Sequence, residues 1–249
     1  MELKKQNPFE SIFHDFVTDF GGDVLPEAPD GHTADYLFPK HNIIAELKLL
    51  TVDQTEDMNR KLSPAVIEWI RKNGRIPVGV FEGDKCMVEI KDMPPEIQDL
   101  WLKLLKGPID ILIRDANRQI RDTKERLNMP LAKGMLLIAN EANVYHSVPE
   151  DYRRLIAEIL RKRTQLGELR FPHINAAVYF SLKDVKSRHE GMYFWDPLQM
   201  KQTPDEDVTP MAEFQKELQQ AWYRYIEKAC QIEVRQHSAP VLSAADPKG

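Results

Sequence analysis

The sequence contains very little cysteine. Its two cysteines, Cys86 and Cys230, stand far apart among 249 residues and form no CxxC pair. A cysteine zinc cluster is therefore excluded. One disulfide could form, but this cysteine usage favours a reduced protein, and we predict a cytoplasmic location.

Several common catalytic motifs are also missing. The seven histidines form no HxxxH or HExxH pair, which argues against a histidine zinc enzyme. The chain has no GxGxxG, GxxxxGK[ST] or GxSxG sequence, so dinucleotide binding, P-loop nucleotide binding and serine hydrolysis are not indicated.

Long hydrophobic runs are absent as well. No apolar stretch approaches the roughly 18–20 residues of a membrane span, and the charged start MELKKQNPFE does not fit a signal peptide. The sequence therefore predicts no membrane association. Apolar residues make up 42% of the chain and charged residues 29%, which is typical of a globular protein and excludes wholesale disorder.

The net charge gives no overall reason to expect a polyanionic partner. Lys and Arg number 34 against 39 Asp and Glu, a balance of −5. The positive charges nevertheless gather in two islands, with a balance of +3 over residues 114–133 and +4 over residues 153–170. Such islands could bind a nucleic-acid backbone, or they could be the solvated faces of helices. Residues 193–195 and 222–225 carry aromatic rings that could stack on bases, although core or dimer packing is favoured for both segments.

Hydrophobic periodicity predicts one α/β domain with a mixed sheet. The predicted helices cover residues 8–20, 54–72, 94–106, 108–127, 149–165 and 209–234. The predicted strands cover residues 33–38, 43–50, 76–81, 86–91, 133–139 and 174–182, and a loop holds Gly191, Pro197 and Pro204. We expect a single domain over residues 1–235, with a core at about 8–140, an elaboration over 141–235 and a flexible tail over 236–249.

The first predicted hairpin carries the chemistry. If the loop over residues 39–42 closes symmetrically, Asp35 lies opposite Glu46, and Lys48 shares their face of the sheet. The alternate residues of the second strand, which take the other face, are all apolar: Ile43, Ala45, Leu47 and Leu49.

Two facing carboxylates repel each other and destabilise a hairpin unless something positive lies between them. Mg²⁺ suits this position, because it favours one or two carboxylates together with water and phosphate oxygens. The alternative is an edge hairpin in which Lys48 merely neutralises Glu46. A competing acid-x-lysine string, Glu89-x-Lys91, lies in another predicted strand, but its nearest upstream acids, Glu82 and Asp84, belong to a turn.

Asp35, ten intervening residues and then Glu46-Leu47-Lys48, with a helix before and a helix after, resembles the core of the PD-(D/E)XK nuclease superfamily. Ala34 stands where the name of the motif has proline. The resemblance covers about residues 8–140 and implies a restriction-endonuclease-like fold. It also implies that Asp35, Glu46 and the Leu47 carbonyl hold Mg²⁺, or Mn²⁺ as a substitute, and that Lys48 orients the attacking water.

Members of this superfamily often add an acid from the first helix and a polar residue from a later one. Glu10 is the candidate acid, although it also sits where a capping-box residue reaches back to Asn7. Gln119 is the candidate polar residue, which could contact a phosphate or a metal-bound water, or could simply border the packed face of its helix.

The sequence therefore predicts a metal-dependent nuclease that acts on nucleic acid, with DNA favoured over RNA by resemblance. A homodimer would suit double-strand cutting. Two other classes remain open: an inactive nuclease-fold protein that binds nucleic acid or proteins, and an acidic interaction factor that uses the aromatic last helix.

Overall fold

A six-stranded mixed sheet forms the centre of the protein, and helices cover both of its faces. The structure is a computed structural model that describes residues 7–29, 32–52, 55–74, 80–82, 85–87, 93–140, 149–181, 195–201, 203 and 205–230. Within these ranges, no helix combines the length and the apolar character needed to cross a membrane.

The helices are α1 (Pro8–Phe20), α2 (Thr55–Asn73), α3 (Pro95–Arg126), α4 (Pro149–Leu160) and α5 (Thr209–Cys230). The strands are β1 (Asp23–Val24), β2 (Tyr36–Phe38), β3 (Ile43–Leu50), β4 (Val80–Glu82), β5 (Lys85–Met87), β6 (Lys133–Asn140), β7 (Ala176–Ser181) and β8 (Trp195–Gln199). The main sheet has the order β1-β2-β3-β6-β7-β8, in which β3, β6 and β7 are parallel and the other neighbours antiparallel. Strands β4 and β5 form a separate antiparallel pair.

The first helix begins and ends where the sequence predicts. The side chain of Asn7 accepts a hydrogen bond from the Phe9 backbone N–H at 2.9 Å, and Pro8 occupies the first turn, where its missing N–H costs nothing. Gly21 ends the helix with a φ of 90°, a conformation that glycine adopts without strain. These caps fix the position of α1 against the sheet.

Two hydrophobic cores lie on opposite faces of the sheet. Helices α1 and α5 cover one face with a cluster of aromatic rings that includes Phe13, Phe16 and Trp222. Helices α2, α3 and α4 cover the other face, largely with aliphatic side chains such as Ile113 and Ile156. Strands from both sides of residue 140 belong to this one sheet.

The prediction of two helices over 94–106 and 108–127 is wrong, because α3 runs without interruption from Pro95 to Arg126. Pro108 removes one backbone donor from the helix interior. Buried residues continue in phase through it at Leu105, Ile109 and Ile113, so one unbroken apolar stripe packs on the sheet. Packing of this stripe outweighs the local cost of the proline.

The C-terminal half departs from prediction at two further points. Helix α4 ends at Leu160 rather than at 165, because its apolar stripe stops there and Leu166 is 86% exposed. Strand β8 lies in the segment predicted as a loop. Its Pro197 pairs with Val178, and the strand is at the sheet edge, where a residue without an N–H is tolerated.

Other predicted boundaries are confirmed or shortened. Strand β2 begins at Tyr36 rather than at residue 33, and β7 begins at Ala176 rather than at 174. Strands β4 and β5 confirm the second hairpin in the part that is described, but the prediction that Glu82 belongs to the turn is wrong, because Glu82 ends β4 and pairs with Lys85 of β5. The ends of that hairpin at 76–79 and 88–91, residues 231–234 of the last helix, and the predicted tail lie outside the described residues.

Candidate functional site

Strand β3 has two chemically different faces. Ile43, Ala45 and Leu47 point into the aromatic core between the sheet and helices α1 and α5. Glu46 and Lys48 point to the opposite face, toward α3. This alternation follows from the two-residue period of a strand and confirms the predicted apolar face.

The predicted hairpin register is confirmed for three pairs: Tyr36 with Ala45, Leu37 with Ile44 and Phe38 with Ile43. The ladder stops before the expected pair of Asp35 and Glu46, because Asp35 lies in a bend and its carbonyl accepts from the Leu25 N–H at 2.8 Å. The Asp35 side chain instead accepts a hydrogen bond from the backbone N–H of Leu47 at 2.7 Å. The two acids therefore meet through a side chain that reaches across to β3, and not through a ladder pair.

Glu46 is a buried acid with an incomplete set of partners. Only 1% of the residue is exposed, and its Oε2 atom has no hydrogen-bond partner. Burial, followed by the negative charge of Asp35, raises the pKa of the Glu46 carboxyl to about 8, although Lys48 acts in the opposite direction. A buried carboxylate in this position would be stabilised by a cation at Oε2.

Asp35 shares the same environment. Burial is the largest influence and raises the pKa of its carboxyl, while the hydrogen bond from Leu47 and the charge of Lys48 oppose this effect. Two acids with raised pKa values, held within electrostatic reach of each other, are typical of a functional site.

Lys48 is held by two short hydrogen bonds. Its Nζ donates to Glu46 Oε1 at 2.6 Å and to Gln119 Oε1 at 2.7 Å. The ammonium is therefore fixed between β3 and α3, with 23% of its side chain exposed. A lysine in this position can present a positive charge and a proton donor at the mouth of the site.

Gln119 lies on α3 and connects Lys48 with the segment that leads into Asp35. Its Nε2 donates to the carbonyl of Thr33 at 3.2 Å, while its Oε1 accepts from Lys48. Both observed contacts are to the protein. They make Gln119 a positioning residue, and contact with a phosphate or metal-bound water stays a prediction.

Thr33, Thr123 and Arg126 support the site, and none of them was predicted from the sequence to have a role in it. The Thr123 Oγ1 accepts from the Ala34 N–H at 2.8 Å, and Arg126 donates to the Thr33 Oγ1. With Gln119, they hold residues 33 and 34 against α3. Thr123 comes four residues after Gln119, so the helical period could have identified it as a neighbour on the same face.

Helix α1 contributes Glu10 and His14 to the surroundings of Asp35. Glu10 acts to raise the pKa of the Asp35 carboxyl, and His14 acts to lower it. The His14 ring lies 5.6 Å from the ring of Tyr36, the residue that follows Asp35. The two α1 residues are one turn apart, so the candidate Glu10 could have pointed to His14.

The residues present fit a hard divalent cation that two carboxylates would ligate in part. Glu46 Oε2 is buried and unpaired, Asp35 is adjacent, and carboxylate oxygens are the ligands that Mg²⁺ prefers. Among the described residues, no three Asp, Glu, His or Cys side chains form a closed ligand set. A cation here would therefore complete its shell with water, backbone carbonyl or substrate oxygens, as Mg²⁺ commonly does. The part assigned to the Leu47 carbonyl stays a prediction.

Other sequence candidates lie away from this site or outside the described residues. Trp222 and Tyr223 are buried in the core, which confirms core packing for these rings. Glu89, Lys91, Tyr193 and Phe194 lie outside the described ranges. A cavity of about 310 Å³ opens at the opposite end of β3, where Lys133, Glu206 and Met211 are among its lining residues, and it contains none of the acids discussed above.

Comparisons with known proteins give no relative for this chain. No family model, no curated protein and no solved structure matches it.

Proposed function

We propose that the protein is a metal-dependent nuclease with a restriction-endonuclease-like fold, of the PD-(D/E)XK kind that its hairpin sequence resembles. The observation that carries the proposal is the convergence of Asp35, Glu46, Lys48 and Gln119 at one point between β3 and α3. The mixed sheet with helices on both faces agrees with such a fold.

In this proposal, Asp35 and Glu46 hold the divalent cation. The cation, when bound, would polarise the scissile phosphate and lower the pKa of the attacking water. The hydrogen bond from Leu47 fixes the Asp35 carboxylate, and Glu46 Oε2 has no other hydrogen-bond partner to give up. The chain thus supplies a preorganised pair of acids instead of assembling them during the reaction.

Lys48 orients the attacking water, and its ammonium stabilises the negative charge that develops on the phosphate in the transition state. The second hydrogen bond, to Gln119, keeps the Lys48 ammonium at the site if Glu46 turns its oxygens to a cation. Gln119 is in turn fixed by the Thr33 carbonyl, so α3 sets the position of the lysine.

A binding or assembly module with a nuclease fold is the second candidate. It is favoured by the 2.6 Å contact between the Lys48 ammonium and Glu46, which gives the buried acid a positive partner without a metal ion. In that case the pair serves the hairpin alone, and neither residue acts on a substrate.

Cleavage of a substrate panel tests the proposal. Supercoiled plasmid, linear duplex, single-stranded and branched DNA, and RNA, are incubated with the protein and Mg²⁺ or Mn²⁺. We expect cleavage by the wild type, loss of at least about 10²-fold in Lys48→Ala, and no change in Lys61→Ala, whose exposed ammonium pairs with Asp57 on α2. Intact substrates with every metal, or equal activity in Lys48→Ala, would overturn the proposal.

A further inference from the structure

The two basic islands of the sequence meet in space around a single carboxylate. Asp110 of α3 is paired with Arg114 from the first island and with Lys162 and Arg170 from the second. The distances are 2.8 Å to Arg114, 3.6 Å to Lys162 and 2.8 Å to Arg170. Three cations around one anion leave a local excess of two positive charges.

This cluster is built rigidly. Arg170 binds Asp110 with two parallel hydrogen bonds of 2.8 and 3.0 Å, and its guanidinium lies 5.0 Å from the centre of the Phe171 ring. The Arg170 N–H donates to the Lys162 carbonyl at 2.8 Å, which fixes the two cations side by side. Their geometry is therefore set before any ligand arrives, which lowers the entropy cost of binding.

The cations remain accessible although they are paired. The side chains of Arg114, Lys162 and Arg170 are 57%, 36% and 37% exposed, while that of Asp110 is only 13% exposed. An arginine has five N–H donors, and Asp110 uses two of those on Arg170. The donors left over can point outward to phosphate oxygens, which the guanidinium matches well.

We propose that Arg114, Lys162 and Arg170 form a binding site for the phosphate backbone of duplex DNA. The inference rests on the proposed action on nucleic acid, and it names the surface outside the candidate metal site that holds the substrate. Asp110 keeps the three cations together and leaves them with a positive excess.

The cluster lies apart from the candidate metal site. Asp110 precedes Gln119 by nine residues on α3, which is about 13 Å along the helix and half a turn around it, since an α-helix has 3.6 residues per turn. A backbone held at the cluster is therefore a second contact, separate from any backbone that occupies the metal site.

A duplex is favoured over a single strand by the surface around it. Binding of single strands usually relies on aromatic rings on which bases stack. Among the described residues, the exposed large apolar side chains are all aliphatic, for example Ile111 and Leu166.

The test measures binding of a short labelled DNA duplex by fluorescence anisotropy. EDTA is present throughout, so that neither metal binding nor cleavage contributes to the signal. Removing one phosphate contact should lower the slope of log K against log salt by about 0.9. Between about 50 and 200 mM salt, this corresponds to about a threefold smaller loss of affinity for each contact removed. We expect weaker binding and this reduced slope for Arg170→Gln, Lys162→Gln and Arg114→Gln.

Asp110→Asn separates a binding site from a purely structural network. The Asn side chain keeps one oxygen that can accept from Arg170, so the cluster stays ordered while its positive charge rises, and we expect tighter binding at low salt and a slope at least as steep. The control is Lys72→Gln, which removes a cation of an exposed i,i+4 pair with Glu68 on α2 and should bind like the wild type. Thermal melting of each variant checks that it folds.

Three results would overturn the inference: cation variants that bind like Lys72→Gln, an Asp110→Asn variant that folds but binds no more tightly, or tighter binding of a single strand than of the duplex. None of these depends on cleavage. If the substrate panel shows no cleavage, a positive result in the duplex-binding assay still supports the binding site. If the panel shows cleavage, a negative result in the binding assay still overturns it.

Discussion

The two faces of strand β3 bury chemically opposite side chains, apolar on one face and acidic on the other. On the face toward α1 and α5, Ala45 and Leu47 pack among aromatic rings, and the burial itself stabilises the fold. On the face toward α3, Glu46 is buried just as deeply but has an unpaired oxygen and a raised pKa. Burial therefore stabilises the fold at Ala45 and Leu47 but destabilises it at Glu46, although these residues are neighbours in one strand. The face on which burial is destabilising is the one where Asp35, Lys48 and Gln119 lie.

The aromatic face should dominate stability. Trp222 is buried in contact with Phe13 and Phe16, with ring centres 5.0 Å from each. Trp222→Ala should lower the free energy of unfolding by about 3–5 kcal/mol, because it removes a large buried side chain and leaves a cavity. Urea denaturation measures this loss, and cleavage per folded molecule should be unchanged. A loss below about 1 kcal/mol would contradict the claim that the aromatic face dominates stability.

The charged face should instead reduce stability as pH rises. The Glu46 carboxyl has a pKa of about 8 in the folded protein against 4.5 ordinarily, so the folded state holds its proton more tightly than the unfolded state. The metal-free wild type should therefore lose stability between about pH 4.5 and 8. Glu46→Gln should remove this loss and be more stable above pH 8 by about 1–3 kcal/mol.

Denaturant midpoints at several pH values measure this effect. Glu68→Gln, at an exposed residue of α2, is the matched control and should follow the wild type. If the free energy of unfolding depends on pH in the same way in wild type and Glu46→Gln, the pKa of the Glu46 carboxyl is not raised by folding, and the prediction is wrong.

Gln119 should matter for activity more than for stability. Gln119→Met removes the acceptor for Lys48 and the donor to Thr33 while keeping the volume, and we expect about a tenfold loss of cleavage rate. Gln119→Glu keeps an acceptor for Lys48 and should lose less. Single-turnover cleavage with Mg²⁺ measures both, and equal losses in the two variants would argue against positioning through Lys48.

Glu10 should have the smallest effect. It influences Asp35 through space, and such interactions between partly exposed charges are weak. Glu10→Gln should change the Mg²⁺ concentration needed for half-maximal cleavage by about twofold or less, with Asp19→Asn near the other end of α1 as control. A loss of tenfold or more would make Glu10 a direct ligand.

Local features of the fold were predictable because their causes are local. Asn7, Pro8 and Gly21 set the ends of α1, and the alternation in β3 set its two faces. The same reasoning failed for α3 and β8, where packing along the sheet and an edge position made Pro108 and Pro197 acceptable.

The candidate site was predictable only in part. The hairpin brings Asp35, Glu46 and Lys48 together within fourteen residues of sequence, so their spacing was enough to predict them. The bond from Lys48 to Gln119 joins residues 71 apart, and the cluster at Asp110 joins residues 60 apart. Such contacts depend on how α3 packs, which neither periodicity nor charge counting can specify.

Calorimetric titration of the metal-free protein with Mg²⁺ tests the central claim, that the charged face of β3 holds a divalent cation. At a pH below about 8, binding should release protons, because the Glu46 carboxyl must ionise, and this release should be visible in buffers of different ionisation enthalpy. The account predicts such binding in the wild type and its loss in Glu46→Ala, with Glu68→Ala unchanged. Binding that is equal in wild type and Glu46→Ala, or no binding of Mg²⁺ or Mn²⁺ at all, would contradict it.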